Sequence, residues 1–151
     1  MIDHRARKKL AERLRHLVAG QMTNDAFEDA AVRTKDMAVR EIEQRLAWPH
    51  YDDMHEHTLR GEFALTDGIR RDFARAVVFL QTDLEYEWKH RARLRGFLNS
   101  LRRTPPLRTE GGDLRYWPFY RRADYTAALK TPVYLSGRKG PPDGAAPGRV
   151  G

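Results

Sequence analysis

The sequence predicts an all-α protein: a compact bundle of roughly five or six short helices, with a disordered C-terminal tail. Three observations carry this expectation. Apolar residues recur at helical spacing in several stretches, most clearly at Ile69, Phe73, Ala76, Val77, Leu80 and Leu84. Stop and start residues separate those stretches, namely Gly20, Pro49, Thr104-Pro105-Pro106 and Thr131-Pro132. In residues 137–151, eight of fifteen are Gly or Pro, a composition that cannot bury enough apolar surface to offset the entropy of ordering. The length of 151 residues then divides into one helical domain, residues 1–135, and the tail, residues 136–151.

Each element has its own local reason. Residues 3–19 form the first helix, with Ala6, Leu10, Leu14, Leu17 and Val18 on one face and Gly20 at its end. The charged run Arg5-Ala6-Arg7-Lys8-Lys9 extends a basic patch if this helix lies beside residues 89–103, and alone reads as an ordinary solvated face. Thr23-Asn24-Asp25 opens a short second helix, in which Asp25 and Glu28 have capping-box spacing and Phe27, Ala30 and Ala31 are apolar. Thr34 and Asp36 start the third, whose buried stripe is Val39, Ile42 and Leu46; Pro49 ends it at or before Trp48. Residues 50–65 are a connector rich in His and acidic groups. Thr66-Asp67 caps the strongest helical pattern, which Val78 and Phe79 widen, so this helix is expected to lie at the centre. Thr82-Asp83-Leu84-Glu85 repeats a capping box and predicts a restart or kink. The alternative there is a minor strand pair, with Leu84, Tyr86 and Trp88 alternating with charges over 84–88 against 114–120. Leu94, Phe97, Leu98 and Leu101 give a further helical face, ended by Pro105. Residues 104–114 are a loop turning at Gly111-Gly112, before the aromatic plug Tyr116-Trp117-Pro118-Phe119-Tyr120. Asp124 is expected to cap a last helix, with Tyr125, Ala128 and Leu129 facing inward.

Composition narrows the function classes. Leu, Ile, Val and Phe make up 31 of 151 residues, so the core is thin and depends on aromatics. The absence of Cys excludes a disulfide scaffold, a Cys-ligated zinc and a thiol nucleophile. The apolar run Ala76 to Leu80 is too short to span a bilayer, and no apolar stretch follows the basic N-terminus. A cytoplasmic location is therefore expected. The net charge of +7 is uneven: residues 21–88 hold eight basic and fifteen acidic groups, and residues 89–122 hold ten basic and two acidic. Such a chain either steers anionic partners or neutralises itself when the two segments meet in the fold.

Several constellations could carry chemistry. His50-Tyr51-Asp52-Asp53-Met54-His55-Glu56-His57 holds imidazole and carboxylate groups, and Asp53, His55 and His57 are weak metal candidates. The spacing matches no metal motif, and a solvated connector explains it as well. Asp52/Asp53 and Glu85/Glu87 are local carboxylate pairs, but helix-terminus charge and nearby Lys89, Arg91 and Arg93 account for the latter. Ser100 and Ser136 sit in no nucleophile elbow, and Gly111-Gly112 precedes no phosphate-binding Lys. The basic helix that includes Arg91, Arg93, Arg95, Arg102 and Arg103 could contact phosphates or lie on an anionic membrane surface. Arg115, Tyr116, Tyr120, Arg121 and Arg122 combine Arg with aromatics, which suits base stacking or a protein-interface hot spot, while Trp117 and Phe119 are expected in the core.

Three segments in order resemble a family of small bacterial proteins with no assigned function. They are Gly20-Gln21-Met22-Thr23-Asn24-Asp25-Ala26-Phe27-Glu28-Asp29, then Phe79 to Trp88 in the pattern F-L-x-x-D-x-E-Y-x-W, then Trp117-Pro118-Phe119. The resemblance spans roughly residues 5–130 and implies a stand-alone cytoplasmic domain. It implies no activity, cofactor or catalytic residue.

The sequence does not determine a biochemical function. Catalytic and cofactor motifs are lacking, so an enzyme is not expected and no cofactor is implied. The expectation is a non-catalytic module that binds an unknown protein partner, regulatory or immunity-like in class. The alternative is a nucleic-acid-binding protein that uses residues 89–122. Peripheral membrane contact stays open.

Overall fold

The computed structural model describes residues 1–52, 54–89 and 111–131, and all structural statements below concern those residues. They form five α-helices: α1 (His4–Val18), α2 (Asn24–Asp29), α3 (Met37–Ile42), α4 (Asp67–Leu80) and α5 (Arg122–Leu129). No strand occurs among the described residues, so the fold is all-α as the apolar spacing predicts. The helical pattern of residues 94–101 and the tail 136–151 lie outside the described residues.

α1 and α4 are the backbone of the fold and pack on one another. Asp3 caps α1 by accepting from the Ala6 amide, and Thr66 caps α4 by accepting from the Ile69 amide. Leu10, Leu14, Phe73, Ala76 and Phe79 form the seam and are almost wholly shielded from solvent. α1 ends at Gly20, whose φ of 64° is the left-handed conformation. Arg60 lies over this glycine and donates to the Ala19 carbonyl at 2.7 Å. Any Cβ at position 20 would collide with the Arg60 side chain.

α2 is capped by Thr23, which accepts from the Ala26 amide, rather than by Asp25; Asp25 sits in the first turn, where its charge suits the helix dipole. Asp36 caps α3 through the Ala38 amide. Beyond Ile42 the chain widens into a π-turn over Glu43–Ala47, then tightens into a 3-10 turn over Trp48–His50 with Pro49 inside it. That change of winding ends the helix before Trp48, as the proline requires.

After α4 the chain neither restarts a helix nor pairs as a strand. Thr82 Oγ1 donates to the Phe79 carbonyl at 2.7 Å and accepts from the Leu84 amide, so this threonine terminates α4 and turns the chain outward. Residues 83–89 then run without regular structure, with Trp88 buried and Glu85 and Glu87 exposed. The alternation of Leu84, Tyr86 and Trp88 is real, and the segment does meet residues 114–120. It does so through side chains: Trp88 Nε1 donates to the Pro118 carbonyl at 3.1 Å, and Trp117 Nε1 donates to the Tyr86 hydroxyl at 3.0 Å. Leu114–Tyr116 is a 3-10 turn capped by Asp113, so it offers no extended edge to pair with. Phe119 is fully buried against Phe79, ring centroids 5.1 Å apart. Trp117 and Phe119 are thus core residues, as expected. α5 is preceded by Arg121 as its N-cap residue; Asp124 lies in its first turn instead of capping it.

Among the described residues, acidic groups of the middle segment meet α1 and that segment's own arginines: Asp36 meets Arg7, Glu43 meets Arg13, Glu41 meets Arg45 and Asp72 meets Arg75. From the basic stretch, Arg121 reaches Glu87 at 3.2 Å. Arg7, read from sequence as solvated, is 1% exposed. Its Nε donates to Asp36 Oδ2 at 2.6 Å, its Nη2 to Asp36 Oδ1 at 3.3 Å, and its Nη1 to the carbonyls of Thr82 and Leu84, both at 2.9 Å. Helix periodicity places Arg7 beside Ala6 and Leu10, and the partner that makes its burial tolerable lies 29 residues away.

Candidate functional site

Of the residues singled out from sequence, most of those that the structure describes are engaged within the fold. Arg91, Arg93, Arg95, Arg102 and Arg103 lie outside the described residues, as does Asp53. Arg115 folds back onto Asp113, with Nη2 to Oδ2 at 2.7 Å. Arg121 is shared between Glu87 and Asp124. Tyr116 is half-buried against Tyr125, centroids 5.9 Å apart, and Tyr120 packs edge-on to Trp88 at 5.0 Å. A Cβ on Gly112 would strike both Trp88 and Tyr120, so this cluster is closed by contact rather than open for stacking. Arg122 is exposed. His57 stacks on Phe63 at 4.0 Å, and His55 Nδ1 contacts Asp52 Oδ2 at 3.3 Å. Among the described residues these groups form no cluster of three or more metal-donor side chains.

A different place in the fold is open. α2 and α3 each pack on α1 and scarcely touch one another. Between them lies a cleft of about 500 Å³, within the range of sites that accept small ligands or a few side chains of a partner. One wall carries Asn24, Phe27, Glu28 and Ala31; the other carries Arg40, Glu43, Gln44 and Ala47. The first row is the face of α2 with Ala31 just beyond it, and the second runs from α3 into the π-turn. Leu17, from the end of α1, contributes to the lining between them. Trp48, His50 and Tyr51 complete the lining.

The aromatic rim is built by the change in helix winding after α3. Trp48 stacks on Tyr51, centroids 5.1 Å apart and planes 11° from parallel, yet stays 50% exposed. The other two tryptophans, Trp88 and Trp117, are buried. His50 lies over the Phe73 ring at 6.0 Å and borders both this cleft and a second one of about 580 Å³ near Met54, His57 and Phe63. Burial, and next the neighbouring His57, holds His50 below the usual histidine value of 6.5, so its ring is neutral at pH 7.

Two features keep the walls in place. Asn24 lashes α2 to the connector: its Nδ2 donates to the carbonyls of Asp52 and His55, each at 3.1 Å, and its Oδ1 accepts from the His57 amide at 2.7 Å. Arg13, 4% exposed, lies 4.0 Å from the centre of the Phe27 ring and donates to the Phe27 carbonyl. Its Nη1 is 3.0 Å from Glu43 Oε1, so one arginine ties a residue of each wall to α1. Burial holds the Arg13 guanidinium below its usual value, opposed by the Glu43 charge, and the group stays protonated. Arg13 Nε makes no hydrogen bond.

None of these cleft residues was singled out by sequence reasoning as a binding residue. Their signal was present as two amphipathic rows, but each row was read as packing against the core. Comparison with protein-family models, curated proteins and solved structures gives no match. Two of the three resemblance segments meet in space: Phe79 and Trp88 pack on Phe119 and Pro118. The third, Gly20 to Asp29, is the α1 cap and the α2 wall of the cleft. No described helix is long and apolar enough to cross a membrane.

Proposed function

We propose that this protein is a non-catalytic protein-binding module, and that a segment of its partner seats in the cleft between α2 and α3. The observation that carries the reading is Trp48, half-exposed, stacked flat on Tyr51, at the lip of an apolar cleft. A stacked aromatic held in one orientation loses little freedom on binding, and Trp and Tyr dominate the energetics of protein interfaces. The cleft walls are tied to α1 through Arg13 and to the connector through Asn24, which limits reorganisation on binding. A regulatory or immunity-like role in a small bacterial protein accords with such a module. The nucleic-acid alternative loses support at Arg115, Tyr116, Tyr120 and Arg121, each engaged within the fold.

The test is selection of peptides from a random display library against the full chain. Peptides free of Trp and Tyr, carrying a fluorescent label, are then titrated by anisotropy against wild type and Trp48→Ala, and the tryptophan emission of the wild type is followed in parallel. The reading predicts micromolar binders that shift the emission and lose about tenfold or more in affinity on Trp48→Ala. Selected peptides that bind Trp48→Ala and wild type equally would overturn it.

A further inference from the structure

The cleft has the form of a missing helix, and its charges specify what fills it. One wall is the α2 face with Ala31 just beyond it, and the other is the row Arg40-Glu43-Gln44-Ala47, which passes from α3 into the π-turn; α2 and α3 both rest on α1. The space between the two short walls suits a third helix laid between them. A partner segment of two turns rises about 12 Å. On a partner of that length three apolar side chains, at i, i+3 or i+4, and i+7, would face the lining made by Leu17, Phe27 and Ala47.

Charge on the two walls is opposite and unspent. Glu43 is satisfied by Arg13. Glu28 on the α2 wall and Arg40 on the α3 wall are both exposed, and neither has an ion-pair or hydrogen-bonding side-chain partner among the described residues. They do not pair with each other, although both line the same cleft. A helix entering the slot therefore meets a carboxylate on one flank and a guanidinium on the other.

We infer that the partner segment is a short amphipathic helix with a basic side chain on one flank of its apolar stripe and an acidic side chain on the other, read by Glu28 and Arg40. This inference rests on the proposed protein-binding function and specifies its partner. Because an apolar stripe can enter the slot in either direction, the charge pair also sets which direction is used. One acid and one base on opposite flanks fit in a single orientation, whereas like charges on both flanks leave one wall repelled in either orientation.

The experiment uses three pools of helix-stapled peptides with mixed apolar residues at the three stripe positions. The flanks carry acid and base, two acids, or two bases. Each pool is titrated against the full-length wild type, Arg40→Glu and Glu28→Lys, following Trp48 emission at low salt. Wild type is expected to prefer the mixed pool by about fivefold or more, Arg40→Glu the two-base pool and Glu28→Lys the two-acid pool, with all preferences shrinking as salt is raised. Both substitutions are at exposed positions, and circular dichroism of each variant confirms that the fold is kept. Binding of all three pools to all three proteins with equal affinity would overturn the charge assignment and leave the cleft as a binding site. Absence of any binding, with unchanged Trp48 emission, would overturn the binding site itself.

Discussion

α1 buries two arginines two turns apart, and they end differently. Arg7 gives every nitrogen a partner: Asp36 takes two bonds, and the carbonyls of Thr82 and Leu84 share the third nitrogen. Arg13 covers the Phe27 ring, donates to one carbonyl and pairs with Glu43, but its Nε makes no hydrogen bond. The first arginine closes the fold where α1, the start of α3 and the end of α4 converge. The second stands behind an open cleft. The same residue type on the same helix thus fixes one end of the molecule and props apart the other. In a low-dielectric interior a saturated charge network is rigid and specific, whereas Arg13 holds the two walls with fewer bonds and leaves its Nε without a partner.

That contrast can be broken by substitution. Arg7→Met leaves the Asp36 carboxylate without its counter-charge and the Thr82 and Leu84 carbonyls without their Arg7 donor, and is expected to cost about 3–5 kcal/mol in urea unfolding. Arg13→Met loses fewer bonds and should cost about 1–2 kcal/mol. It should also weaken peptide binding, because Phe27 and Glu43 lose their common anchor. Equal costs for the two variants would erase the distinction between the two ends.

Acidification sharpens the comparison. Burial alone would raise the Asp36 carboxyl, but its bonds to Arg7 and to the Asp3 and Ala38 amides outweigh burial and hold it below the usual value of 3.8. The unfolded chain takes up the proton first. The stabilising contribution is therefore complete above pH 4 or so and is lost as pH falls through the lower folded value. Urea midpoints measured from pH 7 to 3 should fall less steeply in the Arg7→Met/Asp36→Asn double variant than in wild type. At the cleft end the relevant group is His50, which faces Phe73 and is influenced by His57. Its value is depressed below 6.5, so the stability it supports is present above that pH and declines as pH drops through the folded value. His50→Gln should flatten the stability profile between pH 7 and 5.

Much of this architecture is legible in the sequence. The stripe from Ile69 to Leu80 predicts α4, and the capping threonine at position 66 predicts its start. Trp117 and Phe119 read as core because the chain is poor in aliphatic residues, and both are buried. What escapes is whatever depends on distant partners. Arg7 sits in a run of charges, and although helix periodicity places it beside Ala6 and Leu10, the partner that makes its burial tolerable lies 29 residues away. Leu84, Tyr86 and Trp88 do alternate, but alternation reports which side faces inward and says nothing about whether a backbone edge waits opposite. The cleft is hidden for the same reason. Phe27 on α2 with Ala31 just beyond it, and Ala47 beside Trp48, carry the apolar pattern of helices that pack together, and only the spacing of α2 and α3 across α1 shows that they stand apart.

The smaller effects separate structure from recognition. Trp48→Ala should change stability by under about 1 kcal/mol, since half the ring is already exposed, while lowering peptide affinity about tenfold. Arg115→Ala and Arg121→Ala, which break exposed ion pairs, should leave both stability and peptide binding within error of wild type.

The most direct measurement is amide chemical-shift mapping of the full-length protein with a selected peptide. The account predicts that the shifts concentrate in residues 24–31 and 40–51, with the amides around Arg7 and Asp36 unmoved. Shifts confined instead to Arg115, Tyr116, Tyr120, Arg121 and Arg122 would contradict it and return recognition to the basic, aromatic stretch.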